Sequence, residues 1–250
     1  MSENVGTLQL NEGTVPEKMN LFQRLWNLFL NPKRLFAYTA KKPSLLFPVI
    51  VICILSLAAM LLTMEQIYEA NVDVLYNTWK TMGSQVPMDQ IQSLARTYAI
   101  GTVAGTPFIM VATWLVTTLI LYLVFRLAKC EKGLKKYFSM MAYIMIISLT
   151  GQLMTSAYMY FTGAKTLDTM VTSIASLIDA GTVGNFVYGV AKNIEVFNIW
   201  TYILYGIGFV YTGGAKKRAA YIISAVLFVI VTAASAGMYS LTANLSNLYF

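Results

Sequence analysis

Long apolar runs without a charged residue constrain this fold more than any other feature of the sequence. The clearest run, residues 219–241, contains no Asp, Glu, Lys or Arg. An α-helix needs about 20 mostly apolar residues to cross the hydrocarbon core of a bilayer. Only 12% of the chain is charged, whereas about a quarter of a typical soluble domain is charged. The sequence therefore predicts an all-α membrane protein and argues against a soluble enzyme.

Five segments are predicted to form a polytopic bundle of transmembrane helices. They cover residues 44–63, 106–128, 137–162, 196–213 and 219–241. The fourth segment is the weakest, because Asn198, Thr201 and two glycines dilute its apolar residues. By insertion energy alone it could instead be a re-entrant segment or a soluble core helix.

The positions of the basic residues predict how this bundle is oriented. Along the chain, the tails and loops carry six, two, five, two, three and no Lys or Arg, so 14 fall on one side and four on the other. The positive-inside rule then places the N-terminus in the cytoplasm and the C-terminus outside the cell membrane. This orientation requires the fourth segment to cross, because otherwise residues 216–218 would lie on the wrong side.

Basic and aromatic residues on the cytoplasmic side are predicted to contact the membrane surface. Each well-placed Lys or Arg attracts anionic lipid by about 1 kcal/mol, so we interpret the positive charge as lipid attraction and not as nucleic-acid binding. The predicted membrane-surface residues are Arg24, Trp26, Lys33, Arg34, Lys41, Lys42, Lys135, Lys136, Lys216, Lys217 and Arg218.

Residues 19–30 are predicted to form an N-terminal amphipathic helix. Phe22, Leu25, Trp26 and Phe29 recur at helical spacing on one face. We expect this helix to lie on the cytoplasmic leaflet. The alternative is a helix that packs against a partner or against the core.

The remaining parts of the chain are predicted as tails and outer loops. Residues 1–18 have a composition typical of a disordered tail, residues 19–241 form one membrane domain, and residues 242–250 form a C-terminal tail. The first apolar run begins too late for a cleaved signal peptide, so we expect an uncleaved signal anchor. The outer loops, of about 42 and about 32 residues, are long enough that we expect short amphipathic helices within them. One should begin near Pro87, and another should carry Leu167 to Ile178 on one face.

A few polar residues could form a binding site. Gln152 lies at hydrocarbon depth, where its amide either bridges helices or lines a polar pathway. Glu195 and Asn198 lie at the outer end of the fourth segment, one turn after Lys192, and form either an interfacial ion pair or a substrate site. The candidate groove residues are Gln152, Thr117, Thr118, Tyr202 and Tyr205.

Two pairs of glycines provide small faces for close helix contact. Gly101 with Gly105 forms a Gly-x-x-x-Gly pattern, and Gly206 with Gly208 lies in the fourth segment. Such faces either pack within the bundle or form the seam of a dimer.

The sequence groups no catalytic residues. It contains no His and two distant cysteines, Cys53 and Cys130, so the commonest general base and any Cys-x-x-Cys pair are absent. We predict a non-enzymatic protein without a cofactor or a metal site. No charged residue lies deep in a predicted span, which counts against ion-coupled transport.

Three stretches in order carry a resemblance to a known family. Residues 21–58 place an aromatic after a proline and a second proline at the start of the first span. Residues 123–146 run from a basic turn into an aromatic-Ser segment, and residues 193–223 contain a Phe-x-Ile-Trp span and a Lys-rich turn. The positions concerned are Asn31-Pro32, Phe36, Lys42-Pro43, Ala142-Tyr143, Phe197, Ile199-Trp200, Gly206, Gly208 and Lys216–Ala219.

Together these stretches resemble the Yip family (Ypt/Rab-interacting protein domain), whose members are five-span membrane proteins. The acidic cytoplasmic tail and the Asp-Leu-Tyr-Gly-Pro segment of the eukaryotic trafficking members are missing, so the resemblance is to a bacterial or archaeal branch and does not carry Rab-type GTPase binding to this chain. It implies a scaffold or adaptor that binds lipids, membrane-protein partners or a second copy of itself. The alternative is a passive permease, channel or lipid scramblase.

Overall fold

The computed structural model describes residues 18–164 and 170–249, and only the backbone of residues 245–249. Within these ranges the secondary structure is helical and contains no strand. The β-type pairing is an isolated antiparallel bridge between Ser173 and Glu195. The prediction of an all-α fold is therefore confirmed. The predicted disordered tail, apart from Lys18, lies outside the described residues.

Ten α-helices make up the described part of the chain. They are α1 (Leu21–Leu30), α2 (Pro32–Lys41), α3 (Leu46–Leu62), α4 (Met64–Thr81), α5 (Met88–Phe125), α6 (Leu134–Thr162), α7 (Ala180–Val183), α8 (Asn185–Asn193), α9 (Val196–Gly213) and α10 (Lys217–Tyr249).

Three of these helices, α5, α6 and α10, are long and apolar enough to cross a membrane. Helices α3 and α4 reach the same standard only as a pair, which is bent by 61° at the break between Leu62 and Met64. The described residues thus contain three candidate spans, or four if the bent pair counts as one. Helix α9 has the bounds predicted for the fourth segment but is not among the candidates, because Asn198, Thr201 and its tyrosines lower its apolar content.

Several helices extend beyond the predicted spans. Helix α5 is continuous over 38 residues, or about 57 Å, so the short helix expected near Pro87 and the second span are one element. Helix α10 continues through the predicted C-terminal tail as far as Tyr249. In the second outer loop, residues 170–178 form turns and a 3-10 helix at Ile174–Leu177 instead of the predicted amphipathic α-helix, and Leu167 lies outside the described residues.

Helix α9 runs the length of the bundle and packs against α2, α6 and α10. At one end, the Thr212 hydroxyl donates to the carbonyl of Phe36 at 3.3 Å, and the Glu131 N–H donates to the carbonyl of Gly213 at 2.8 Å. We call this end, formed by α2, residues 126–136 and residues 213–219, the basic end. The other end, where the α3–α4 break, the end of α6 and the start of α9 meet, is the loop end.

Aromatic side chains fill the half of the bundle next to the basic end. The rings of Phe125 and Phe209 are stacked with centroids 3.8 Å apart, and the Tyr137 ring lies 5.4 Å from Phe209. All three side chains are fully buried. Stacked and fully buried rings are the close packing expected of a protein interior, so these three side chains form a packed core there.

Candidate functional site

A cavity of about 810 Å³ opens at the loop end of the bundle, and we call it the vestibule. Its volume lies within the range of about 300–1,000 Å³ that is typical of small-molecule sites. Eleven of its sixteen lining residues carry hydroxyl, amide or charged side chains, and three others are methionines. The lining residues are Met60, Thr63, Gln66, Ile67, Ala70, Thr102, Ser148, Gln152, Thr155, Ser156, Met159, Met170, Lys192, Asn193, Glu195 and Asn198.

The vestibule extends into the bundle along α6. Along α6 its wall runs from Met159 to Ser148, which corresponds to about 16 Å at the rise of an α-helix. At its floor the hydroxyls of Ser148 and Thr201 are hydrogen-bonded at 3.0 Å. Next to this pair, a Cβ atom on Gly151 would lie 2.7 Å from a ring carbon of Phe197, so α6 and α9 touch closely there.

Glu195 caps the N-terminus of α9. Its carboxylate accepts hydrogen bonds from the N–H groups of Phe197 at 2.9 Å and Asn198 at 2.7 Å, and from the hydroxyl of Thr172. The residue is only 3% exposed, and a negative charge is favourable at a helix N-terminus. The structure therefore uses Glu195 as a cap, and an acid directly before an apolar run is the sequence signal for that role.

Lys192, one turn before Glu195, contacts a different helix. Its ammonium group lies 4.4 Å from the ring centroid of Tyr239 in α10.

Gln66 is a vestibule residue that the sequence pattern does not single out. Its side-chain oxygen is buried and has no hydrogen-bond partner among the described residues. Such an acceptor is costly to leave unpaired, so it favours a ligand or water molecule with a donor group. The only signal in the sequence is a polar side chain one turn after the end of an apolar run, on the same helix face as Ala70.

The candidate groove residues lie in different places. Gln152 lines the vestibule together with Glu195 and Asn198. The Thr118 hydroxyl instead donates to the carbonyl of Trp114 at 2.6 Å, within α5. The remaining groove residues, Thr117, Tyr202 and Tyr205, are half-buried and lie outside the vestibule. Of these, Tyr202 lines a separate apolar cavity of about 220 Å³ between α9 and α10.

The four predicted packing glycines fall into two groups. A Cβ atom on Gly206 would lie 2.8 Å from the Tyr221 ring, and one on Gly208 would lie 2.6 Å from the Met140 sulfur. These two glycines allow α9 to approach α10 and α6. A Cβ atom on Gly101 or Gly105 would meet nothing within 4 Å, so this face of α5 contacts nothing in the described chain.

Helix α1 exposes a cluster of apolar side chains near the basic end. Phe22 is 72% exposed and Trp26 is 59% exposed, and their rings are stacked with centroids 6.1 Å apart. Leu28, on the opposite side of the helix, is fully buried. The helix therefore uses one side to pack on the protein and leaves its aromatic side uncovered.

The predicted membrane-surface cations include residues that contact other parts of the protein. The Arg24 guanidinium donates to the hydroxyls of Ser44 at 2.9 Å and Tyr38 at 3.1 Å, which ties α1 to α2 and to the start of α3. Lys136 forms an ion pair with Glu131 at 2.6 Å. The remaining cations of the set are exposed, namely Lys33, Arg34, Lys41, Lys42, Lys135, Lys216, Lys217 and Arg218.

The described residues offer hydrogen-bonding groups but no metal-binding cluster. Among residues 18–164 and 170–249, no three His, Cys, Asp or Glu side chains lie close enough together to hold a metal ion. The vestibule presents amides and hydroxyls together with the charged side chains of Lys192 and Glu195, and such groups recognise hydrogen-bonding groups on a ligand.

The chain is similar to known membrane proteins over most of its length. The model of the Yip1 domain matches residues 26–237. Membrane protein YknW from Bacillus subtilis (strain 168) is 25% identical over 224 residues, which cover 90% of this chain and 91% of that protein. No solved structure matches the chain. These matches confirm the resemblance carried by the three sequence stretches: this helical membrane protein belongs to the Yip1 domain family.

Proposed function

We propose that this protein is a non-enzymatic membrane scaffold or adaptor that crosses the cytoplasmic membrane five times. Its N-terminus lies in the cytoplasm and its C-terminus outside. The position of α9 supports the fifth crossing, because its two ends lie at opposite ends of the bundle. The basic end, which holds most of the exposed cations, is then the cytoplasmic end.

The packed aromatic core next to the basic end is the observation that carries the scaffold proposal. Phe125, Phe209 and Tyr137 pack together next to the basic end, and none of them lines the vestibule. A conducting protein needs a continuous polar path or a groove along its surface, whereas a cavity at one end of the bundle and an apolar packed core at the other suit a protein that binds. Anionic lipids at the basic end and membrane-protein partners along the helices are the proposed ligands.

The uncovered glycine face of α5 is the proposed partner surface. Gly101 and Gly105 have open space above them, and Phe108 and Ala112 continue the exposed face. Small residues let a second helix approach closely, and this close packing drives helix association in lipid. The partner is another membrane protein or a second copy of this chain.

Gly105→Leu is expected to release the partner without unfolding the protein. The leucine would fill the space that a partner helix needs, and a loss on the order of 1–2 kcal/mol would reduce the complexed fraction about tenfold. The measurement is cross-linking in the membrane, followed by mild detergent extraction and separation of the complexes by size.

Gly237→Leu is the matched control, because a Cβ atom on Gly237 also meets nothing within 4 Å. It makes the same change on a different helix and should leave the complexes intact. A wild-type protein that is solitary after mild extraction, and whose deletion changes no complex, would contradict the scaffold proposal.

A passive permease or lipid scramblase is the second candidate, and the vestibule is the observation that favours it. Purified protein in liposomes should then equilibrate a labelled lipid or neutral solute faster than empty liposomes. Gln152→Leu, at the vestibule wall, should slow this exchange about tenfold if the amide stabilises the passing group by about 1.4 kcal/mol. Thr117→Val, outside the vestibule, should not. Equal rates in empty and protein-containing liposomes across several substrates would reject this candidate.

A further inference from the structure

A third cavity lies between α1 and α2 at the basic end. It has a volume of about 330 Å³, and its wall includes Gln23, Trp26, Leu30, Asn31 and Arg34. Its wall thus combines polar and apolar side chains. We infer that this groove binds the phosphate headgroup of an anionic phospholipid, with the acyl chains against α1.

The polar side chains of the groove, Gln23, Asn31 and Arg34, supply hydrogen-bond donors. The side-chain oxygen of Gln23 accepts from the N–H of Asn20 at 3.1 Å, and that of Asn31 accepts from the N–H of Arg34 at 3.4 Å. These capping interactions orient both side-chain oxygens toward the backbone, so the amide NH₂ groups are available to donate. Together with a guanidinium, they form a donor set that matches phosphate oxygens.

The charge of the groove is positive. Arg34 is exposed, and within the part of the chain that the structure describes it has no ion-pair partner. No acidic side chain lines the groove. An unpaired guanidinium beside uncharged amides favours an anion.

The apolar side chains of the groove, Trp26 and Leu30, favour a lipid over free phosphate. Trp26 and Leu30 are 59% and 66% exposed at the edge of the groove, and Trp26 stacks on Phe22. Aromatic and aliphatic side chains in this position suit the boundary between headgroups and acyl chains. The inference rests on the proposed placement of the basic end at the cytoplasmic leaflet.

The test uses the fluorescence of Trp26 in the full-length protein reconstituted into bilayers. Phosphatidylglycerol or phosphatidylcholine, brominated on the acyl chains close to the headgroup, is titrated into the bilayer, and the signal of Trp26→Phe is subtracted. The anionic lipid should quench Trp26 at about a fivefold lower mole fraction than the zwitterionic lipid, as expected for one well-placed cation. Arg34→Gln should abolish this preference, and Arg34→Lys, which keeps the charge, should retain part of it.

Lys33→Gln is the matched control, because Lys33 is an exposed neighbour with the same charge that does not line the groove. It should keep the preference. Equal losses in Lys33→Gln and Arg34→Gln would show attraction to the whole basic surface and overturn the headgroup site. Recovery of fluorescence on adding inorganic phosphate at constant ionic strength would also overturn it, in favour of a free-phosphate site.

Different results would reject the headgroup site and the membrane placement of α1. Equal quenching by both lipids would leave the membrane placement of α1 standing and reject the headgroup site. No quenching by either lipid would reject the placement itself.

Discussion

Gly206→Leu should destabilise the bundle by about 3 kcal/mol, at the upper end of the usual cost of overpacking a core. A Cβ atom at this position would already lie 2.8 Å and 3.0 Å from two ring carbons of Tyr221, and leucine adds three further carbons. The aromatic ring has no flexible end that can move aside, so α9 and α10 would have to separate. The free energy of unfolding, measured by denaturant titration in detergent with circular dichroism, checks this result.

Gly101→Leu is the matched substitution with the opposite expectation. Its site on α5 is open, and replacing glycine with a better helix former gains up to about 0.8 kcal/mol. The helix should therefore be unchanged or slightly more stable. Similar unfolding curves for the two variants would contradict the close packing of α9 on α10.

Reporter fusions should place residue 130 and the C-terminal end of α10 on opposite sides of the membrane. The expected result is all or none: a cytoplasmic reporter is active after Cys130, and an extracytoplasmic reporter is active after Tyr249. The reason is that α6, α9 and α10 each cross once after the basic turn at residues 126–136, and three crossings exchange the sides. Helix α9, with 18 residues and a length of about 27 Å, is just long enough to do so.

A fusion after Gly163 provides the reference for this experiment, because it should report the same side as Tyr249. If the fusions after Cys130 and Tyr249 report the same side, α9 does not cross, and the protein has at most the four spans that length and composition indicate. The proposed five-span topology and the placement of the basic end would then both be wrong.

The sequence by itself determined the helical membrane character of this protein and its family. Lipid cannot hydrogen-bond to the backbone, so a spanning segment must be a continuous apolar helix or part of a closed barrel. This requirement acts on each segment separately, and α6, Leu134–Thr162, therefore encloses the third predicted span, residues 137–162. Three short stretches were enough to indicate the Yip family because their order and spacing follow the helices.

The tertiary structure alone decided which polar residues meet. Gln66, Gln152 and Asn198 come from three helices and share one vestibule, while Thr118, a residue of the same predicted groove, bonds within its own helix. Likewise, Arg24 is tied to Ser44 and Arg34 is left exposed. Hydrophobic periodicity gives the face of one helix, but a site depends on how faces from distant segments pack together, and only their mutual arrangement fixes that.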